Sequence, residues 1–165
     1  AVIVQPPFAI GKAYRWDFLR EEPFVLLSRW ADPDLPVDEV LRTRPFLRVD
    51  TNAWTGYLVT QYLTDRRIKP NVIMELDAFE ATRGLIARGV GVSILPDWGI
   101  AAGEETGLRK TPLDAKFYHR AMGVVSETTS GQRRLVDALL EVLREEARET
   151  AYLIAGGPPQ TPQNS

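Results

Sequence analysis

Between Asn71 and Pro96 the chain reads NVIMELDAFEATRGLIARGVGVSILP, and the spacing of its apolar positions changes twice. Val72, Met74 and Leu76 alternate with Ile73 and Glu75, which predicts a strand that is apolar on one face, mostly apolar on the other, and therefore inside a sheet. Asp77 followed by Glu80 is an acidic form of the capping box, so a helix is expected to begin there with Asp77 as its cap. Phe79, Thr82, Leu85 and Ile86 share one helical face, and Glu80, Arg83 and Arg88 fall elsewhere. Gly89 is placed to end the helix in the left-handed conformation that glycine accepts without steric cost. Val90 to Leu95 then returns as a second apolar strand, and a crossover of this length joins parallel strands. A parallel sheet needs cover on both faces, so the fold class is α/β.

The same reading extends along the chain. Strands are expected at Ala1 to Val4 and Pro23 to Leu27, joined by a loop containing Pro6, Pro7 and Gly11. The turn-forming run from Ala31 to Pro36 marks a surface connection. A short helical turn at Val37 to Leu41 and a strand at Phe46 to Val49 follow. A helix from Asn52 to Asp65 would bury Trp54, Tyr57, Leu58 and Tyr62, capped by Thr51 or Asn52. Pro70 separates it from the strand at Asn71. After Pro96 comes a loop with Gly99 and Gly103, then a strand from Phe117 to Ser126. The last helix starts at Ser130 and carries Leu135, Leu139, Val142 and Leu143 as its core stripe. The polar, proline-rich residues 155–165 read as a disordered tail.

Composition narrows the function classes. A length of 165 residues with 44% hydrophobic and 25% charged residues fits a globular chain able to bury a core. No apolar run is long enough to span a bilayer, and the opening AVIV lacks the basic flank of a secretion signal. Zero cysteines removes disulfides and thiolate chemistry, and fits the cytoplasm. Net charge is −2 with both signs interspersed, so the chain lacks the basic stripe that duplex DNA requires. The pairs Arg66-Arg67 and Arg133-Arg134 read as solvated residues at helix ends.

Enzyme chemistry finds little support. His119, the single histidine, falls in an expected strand without a partner constellation. Ser93 and Ser126 lie outside any nucleophile elbow. Glu21-Glu22, Glu104-Glu105 and Glu145-Glu146 are sequence neighbours, which do not share a helix face as an acid and base pair must. Gly89-x-Gly91 precedes a strand, the reverse of a dinucleotide fingerprint. Neither a phosphate loop nor a metal-ligand cluster is present, so no catalytic residue, metal or cofactor is assigned.

The run Leu85 to Pro96, LIARGVGVSILP, resembles the glycine-containing signature of the effector-binding domain of LysR-type transcriptional regulators. Ala1 to Val4, Leu19 to Leu27 and Arg44 to Val49 resemble other strands of that domain in the same order, so the similarity runs from Ala1 to about Leu143. The resemblance implies a two-lobed, periplasmic-binding-protein type 2-like fold with the ligand between the lobes. Residues 1–25 and 108–154 would form lobe I and residues 26–107 lobe II. Lobe I is expected to be incomplete, because the chain opens at what resembles the third strand of that lobe, and to expose apolar surface. The implied partners are a small-molecule effector and further copies in a homodimer or homotetramer. DNA would be reached only through an N-terminal domain absent from this sequence, and no membrane is involved. A periplasmic solute-binding protein of the same fold, and an enzyme built on it, are the alternatives.

Ligands of parallel sheets sit beyond the carboxyl ends of the strands. Strands 46–49 and 72–76 both feed helices, so Thr51, Asn52, Ala53 and Trp54 form one expected binding junction, and Asp77 with Phe79 the other. The resemblance implies effector contacts at the same two loops, and adds Gln5, Pro6 and Pro96 as residues facing the cleft. Helix starts favour anions, but Asp50 and Asp77 oppose one, so a polar, aromatic or cationic ligand is expected, with Trp54 and Phe79 as an aromatic wall.

Overall fold

The structure, a computed structural model, describes residues 2–3, 10–114, 118–129 and 131–155. Within them the chain forms β1 (Val2–Ile3), β2 (Tyr14–Arg29), α1 (Val37–Thr43), β3 (Pro45–Val49), α2 (Trp54–Asp65), β4 (Asn71–Leu76), α3 (Phe79–Ala87), β5 (Ser93–Pro96), β6 (Leu108–Pro112), β7 (His119–Glu127) and α4 (Arg133–Ile154). It divides into two compact units, one of residues 1–22, 98–100 and 120–165, the other of residues 23–97 and 101–119. The chain passes from one unit to the other within β2, at Glu22 and Pro23, and within β7, at His119 and Arg120. The expected tail lies outside the described residues from position 156 onward.

The second unit holds the α/β layer that the sequence predicts. β3 and β4 pair in parallel from Pro45↔Asn71 to Val49↔Leu76. On its other side β3 meets Val92 in a parallel bridge from Phe46, closed by Leu47 N–H to the Val92 carbonyl and Val92 N–H to the Pro45 carbonyl, both 2.8 Å. β5, which follows Val92, pairs antiparallel with β2, and β6 pairs with the other edge of β2. The strand expected at Val90 to Leu95 forms at Ser93–Pro96, and its parallel contact with β3 is confined to the bridge at Val92, just before it. Phe24, Leu26, Phe46 and Ile94 meet Val40 and Leu41 of α1 and Val59, Tyr62 and Leu63 of α2 in one buried cluster. α3 packs on β4 and β5 with Thr82 and Ile86 buried. Burying a Phe or Leu completely is worth about 1.5–3 kcal/mol, and Phe46, Leu47, Leu41 and Leu27 are each fully buried.

Gly89 ends α3 as expected, with φ +79°. Its N–H donates to the Ile86 carbonyl and the next N–H, of Val90, to that of Leu85, the paired bonds of a Schellman cap. Gly91 is required for a different reason: a Cβ there would stand 2.5 Å from the Pro45 carbonyl oxygen.

Several expectations change. β4 is an edge strand that pairs only with β3 among the described residues, and Ile73 and Met74 are exposed. Apolar alternation reports strand character without counting neighbours. The helix caps are Ala53 and Ala78, neither making a side-chain cap bond, so Thr51, Asn52 and Asp77 are not caps. α2 buries Thr55, Gly56, Val59, Tyr62 and Leu63, a stripe rotated away from Trp54 and Tyr57, which stack on each other at 4.9 Å. β2 is far longer than Pro23 to Leu27, and β6 occupies what reads as loop after Pro96.

In the first unit β1 pairs antiparallel with β7, and β7 lies beside β2. α4 meets odd-numbered residues of β2, where Arg15 reaches Asp137 at 3.6 Å and Asp17 reaches Arg144 at 3.5 Å. Those two helix positions lie on the same seam as the buried Leu140 and Ala147. The expected core stripe therefore faces outward: Leu135, Leu139 and Val142 are exposed and Leu143 is half-buried. On the even-numbered face Trp16 covers Gly123, and Tyr14 and Phe18 are exposed.

Where the chain leaves this unit, Glu22 is completely buried between two guanidinium groups. Arg20 holds one carboxylate oxygen through Nε at 2.9 Å and a terminal nitrogen at 2.6 Å. Arg120 holds the other at 2.6 Å through both Nε and a terminal nitrogen. Burial lowers the Arg120 pKa from its ordinary value, and the Glu22 charge beside it acts in the opposite direction. Glu22→Ala, which leaves two guanidinium groups facing each other in the interior, is expected to cost about 3–5 kcal/mol. A urea unfolding series would show this as a lower midpoint; an unchanged midpoint would mean that the Glu22 charge does not stabilise the fold.

Candidate functional site

Parallel pairing sends β3 and β4 out of the sheet at the same edge. Val49 stands opposite Leu76, and the Asp50 N–H continues the ladder by donating to the Leu76 carbonyl at 3.0 Å. The turn from Asp50 to Ala53 and the turn at Asp77 and Ala78 are therefore neighbours. Both open into helices, α2 and α3.

The first turn is tied by short-range bonds. Asn52 donates its backbone N–H at 2.8 Å and its side-chain amide at 3.0 Å to Asp50 Oδ1. Ala53 N–H donates to the Asp50 carbonyl at 3.2 Å. Asp50 thus does the turn-forming work expected of Thr51 and Asn52, which is why helix α2 starts two residues later than its polar residues suggest. Thr51 instead reaches across to β4, donating its N–H at 3.4 Å and its hydroxyl at 3.5 Å to Glu75 Oε1. These bonds are long and exposed, so each contributes little.

Gly56 sets how close α2 comes to this turn. A Cβ on it would lie 2.1 Å from the Asp50 carbonyl oxygen and 2.9 Å from Thr51 Cα. Only glycine allows the helix backbone to rest there. Trp54, half-buried, and Tyr57, exposed, project from the first turns of α2 as a stacked pair. At the second turn Asp77 and Ala78 are exposed, Phe79 is half-buried, and Thr82 fixes the Ala78 carbonyl with its N–H and its hydroxyl, both at 3.0 Å.

The structure thus brings Thr51, Asn52, Ala53, Trp54, Asp77 and Phe79 to one edge of the second unit. Pro96 ends β5, four residues beyond Val92 as Asp50 is four beyond Phe46, but it is buried against β2 opposite Phe24. Gln5 and Pro6 lie outside the described residues. Sequence reading missed Glu75, Gly56 and Tyr57. Only the pairing of β3 with β4, which sets Arg48 opposite Glu75, places that carboxylate near Thr51. Among the described residues no group of three or more His, Cys, Asp or Glu side chains is arranged to hold a metal, and no helix is long and apolar enough to cross a membrane.

Residues 1–148 match the family model of the LysR substrate binding domain. No curated protein sequence gives a significant match. Among solved structures, the regulatory domain of Synechocystis CcmR in complex with 2-PG is 20% identical with a TM-score of 0.68, covering 89% of this chain and 72% of that one. A Corynebacterium glutamicum OxyR mutant is 17% identical at a TM-score of 0.69, covering 99% of this chain and 52% of its own. The regulatory domain of MetR from N. meningitidis, a LysR family regulator, is 13% identical at 0.64, covering 99% and 76%. This chain therefore spans about half the length of that OxyR chain and shares the fold of all three.

Gly56→Ala weighs two opposed effects. Replacing glycine within a helix gains about 1 kcal/mol from backbone entropy. A methyl group 2.1 Å from a carbonyl oxygen forces the backbones apart, an overpacking cost of about 1–3 kcal/mol. The clash is expected to win, with a lower unfolding midpoint and an altered Trp54 fluorescence; a more stable variant would show that α2 shifts freely over Asp50.

Proposed function

The chain belongs to the LysR substrate binding domain family, and we propose that it is the effector-sensing part of a bacterial LysR-type transcription regulator. The observation that carries this reading is the side-by-side exit of β3 and β4, which assembles Thr51 to Trp54 and Asp77 to Phe79 into one rim. A small molecule held there would contact backbone groups of both turns and the Trp54 and Tyr57 rings. Gln5, Pro6 and Pro96 join the proposed set on the resemblance. The CcmR regulatory domain holds 2-PG, which supports a small-molecule effector here as well.

Regulation follows from differential affinity. An effector that binds one arrangement of the protein more tightly raises its population by that difference in free energy. In the proposed whole protein, a homodimer or homotetramer in the cytoplasm, that shift would reposition DNA-binding domains that this sequence does not include. The family match favours this reading over a periplasmic solute-binding protein.

A thermal-shift screen of small metabolites against the 165-residue chain tests the proposal. At least one metabolite is expected to raise the melting temperature, and Trp54→Ala is expected to reduce that shift by more than half. A full response retained in both Trp54→Ala and Thr51→Ala would remove the effector from this rim.

A further inference from the structure

We propose that Glu75 sets the charge preference of this rim, favouring an organic ammonium over a carboxylate; the inference rests on the effector-site reading above. Thr51 offers two donors at the start of its turn, the backbone N–H and the hydroxyl, and both point to Glu75 Oε1 at 3.4 and 3.5 Å. They are the donors that an effector oxyanion would use. The protein's own carboxylate already stands at them, carried by the next-to-last residue of β4.

The Asp50 and Asp77 charges oppose an anion in every variant tested, but they stand at no donor of Thr51. The Asp50 carboxylate accepts from the amide groups of Asn52 and serves the turn itself. Glu75 is different because its contact runs from one strand to the turn of another. It is not required to close either turn. An incoming carboxylate must displace Glu75 and then bind beside its charge, whereas an ammonium gains from that charge in place. The Trp54 and Tyr57 rings at the same turn offer a cation a further attractive surface. The Glu75 bonds are long and exposed, so the preference is modest, about fivefold.

The test uses two aromatic probes of similar shape and opposite charge, benzylamine and benzoate, titrated at matched ionic strength into the labelled 165-residue chain. The Thr51 amide and Trp54 indole signals are followed by NMR. In the unaltered protein benzylamine is expected to bind more tightly than benzoate, and Glu75→Gln to move the ratio of their affinities by about fivefold toward benzoate. Glu141→Gln, which removes the same charge from the exposed face of α4, is expected to leave the ratio in place. If Glu75→Gln leaves the ratio unchanged while Trp54 still responds, the role of Glu75 is overturned and the rim keeps its function. An equal change in Glu141→Gln overturns the role too, because the effect would then be one of overall charge. If neither probe moves Thr51 or Trp54 in any of the three proteins, the effector-site reading falls together with the preference.

Discussion

The parallel contact between β3 and β4 is the constraint on which the rest of the site depends. Two strands that run the same way must be released at the same edge, and the bond from Asp50 N–H to the Leu76 carbonyl extends that pairing one step beyond the strands. Everything at the rim is a consequence of this step. Thr51 meets Glu75, α2 starts beside α3, and Gly56 lets the α2 backbone rest on the Asp50 carbonyl. Beneath it, Phe46 and Leu47 are sealed from solvent on opposite faces of β3, so the edge stands on a fixed floor.

Much of this architecture was legible because it is encoded locally. Alternation marks β4, a helical face marks α3, and Gly89 marks the end of that helix, each within a window of a few residues. The LIARGVGVSILP run carried the family because Gly89 and Gly91 answer two separate steric demands, a positive φ and close approach to Pro45. What could not be read required knowledge of partners distant in sequence. Glu75 becomes part of the rim through a residue 24 positions earlier. The seam of α4 that faces the sheet, where Asp137 and Arg144 meet Arg15 and Asp17, involves residues more than a hundred positions earlier. A periodic pattern says that a helix has an apolar arc, and only the receiving surface decides which part of the arc is used.

Caps show the same limit at shorter range. Asp77, Thr51 and Asn52 have the right chemistry to begin helices, yet the caps are alanines. In the first turn Asp50 competes for the same amide groups, and a carboxylate two residues upstream of Asn52 wins because it closes the turn directly. Polar residues near a helix start therefore predict that a helix begins more reliably than they predict which residue begins it.

The clamp of Arg20 and Arg120 on Glu22 bears on how the chain is made. It joins residues 98 positions apart, and the unit that contains it is assembled from both ends of the sequence. Residues 23–119 contain the whole of the other unit, interrupted only at 98–100. Before β7 brings in Arg120, the Glu22 carboxylate at the end of the opening half of β2 has only the Arg20 guanidinium to offset its charge.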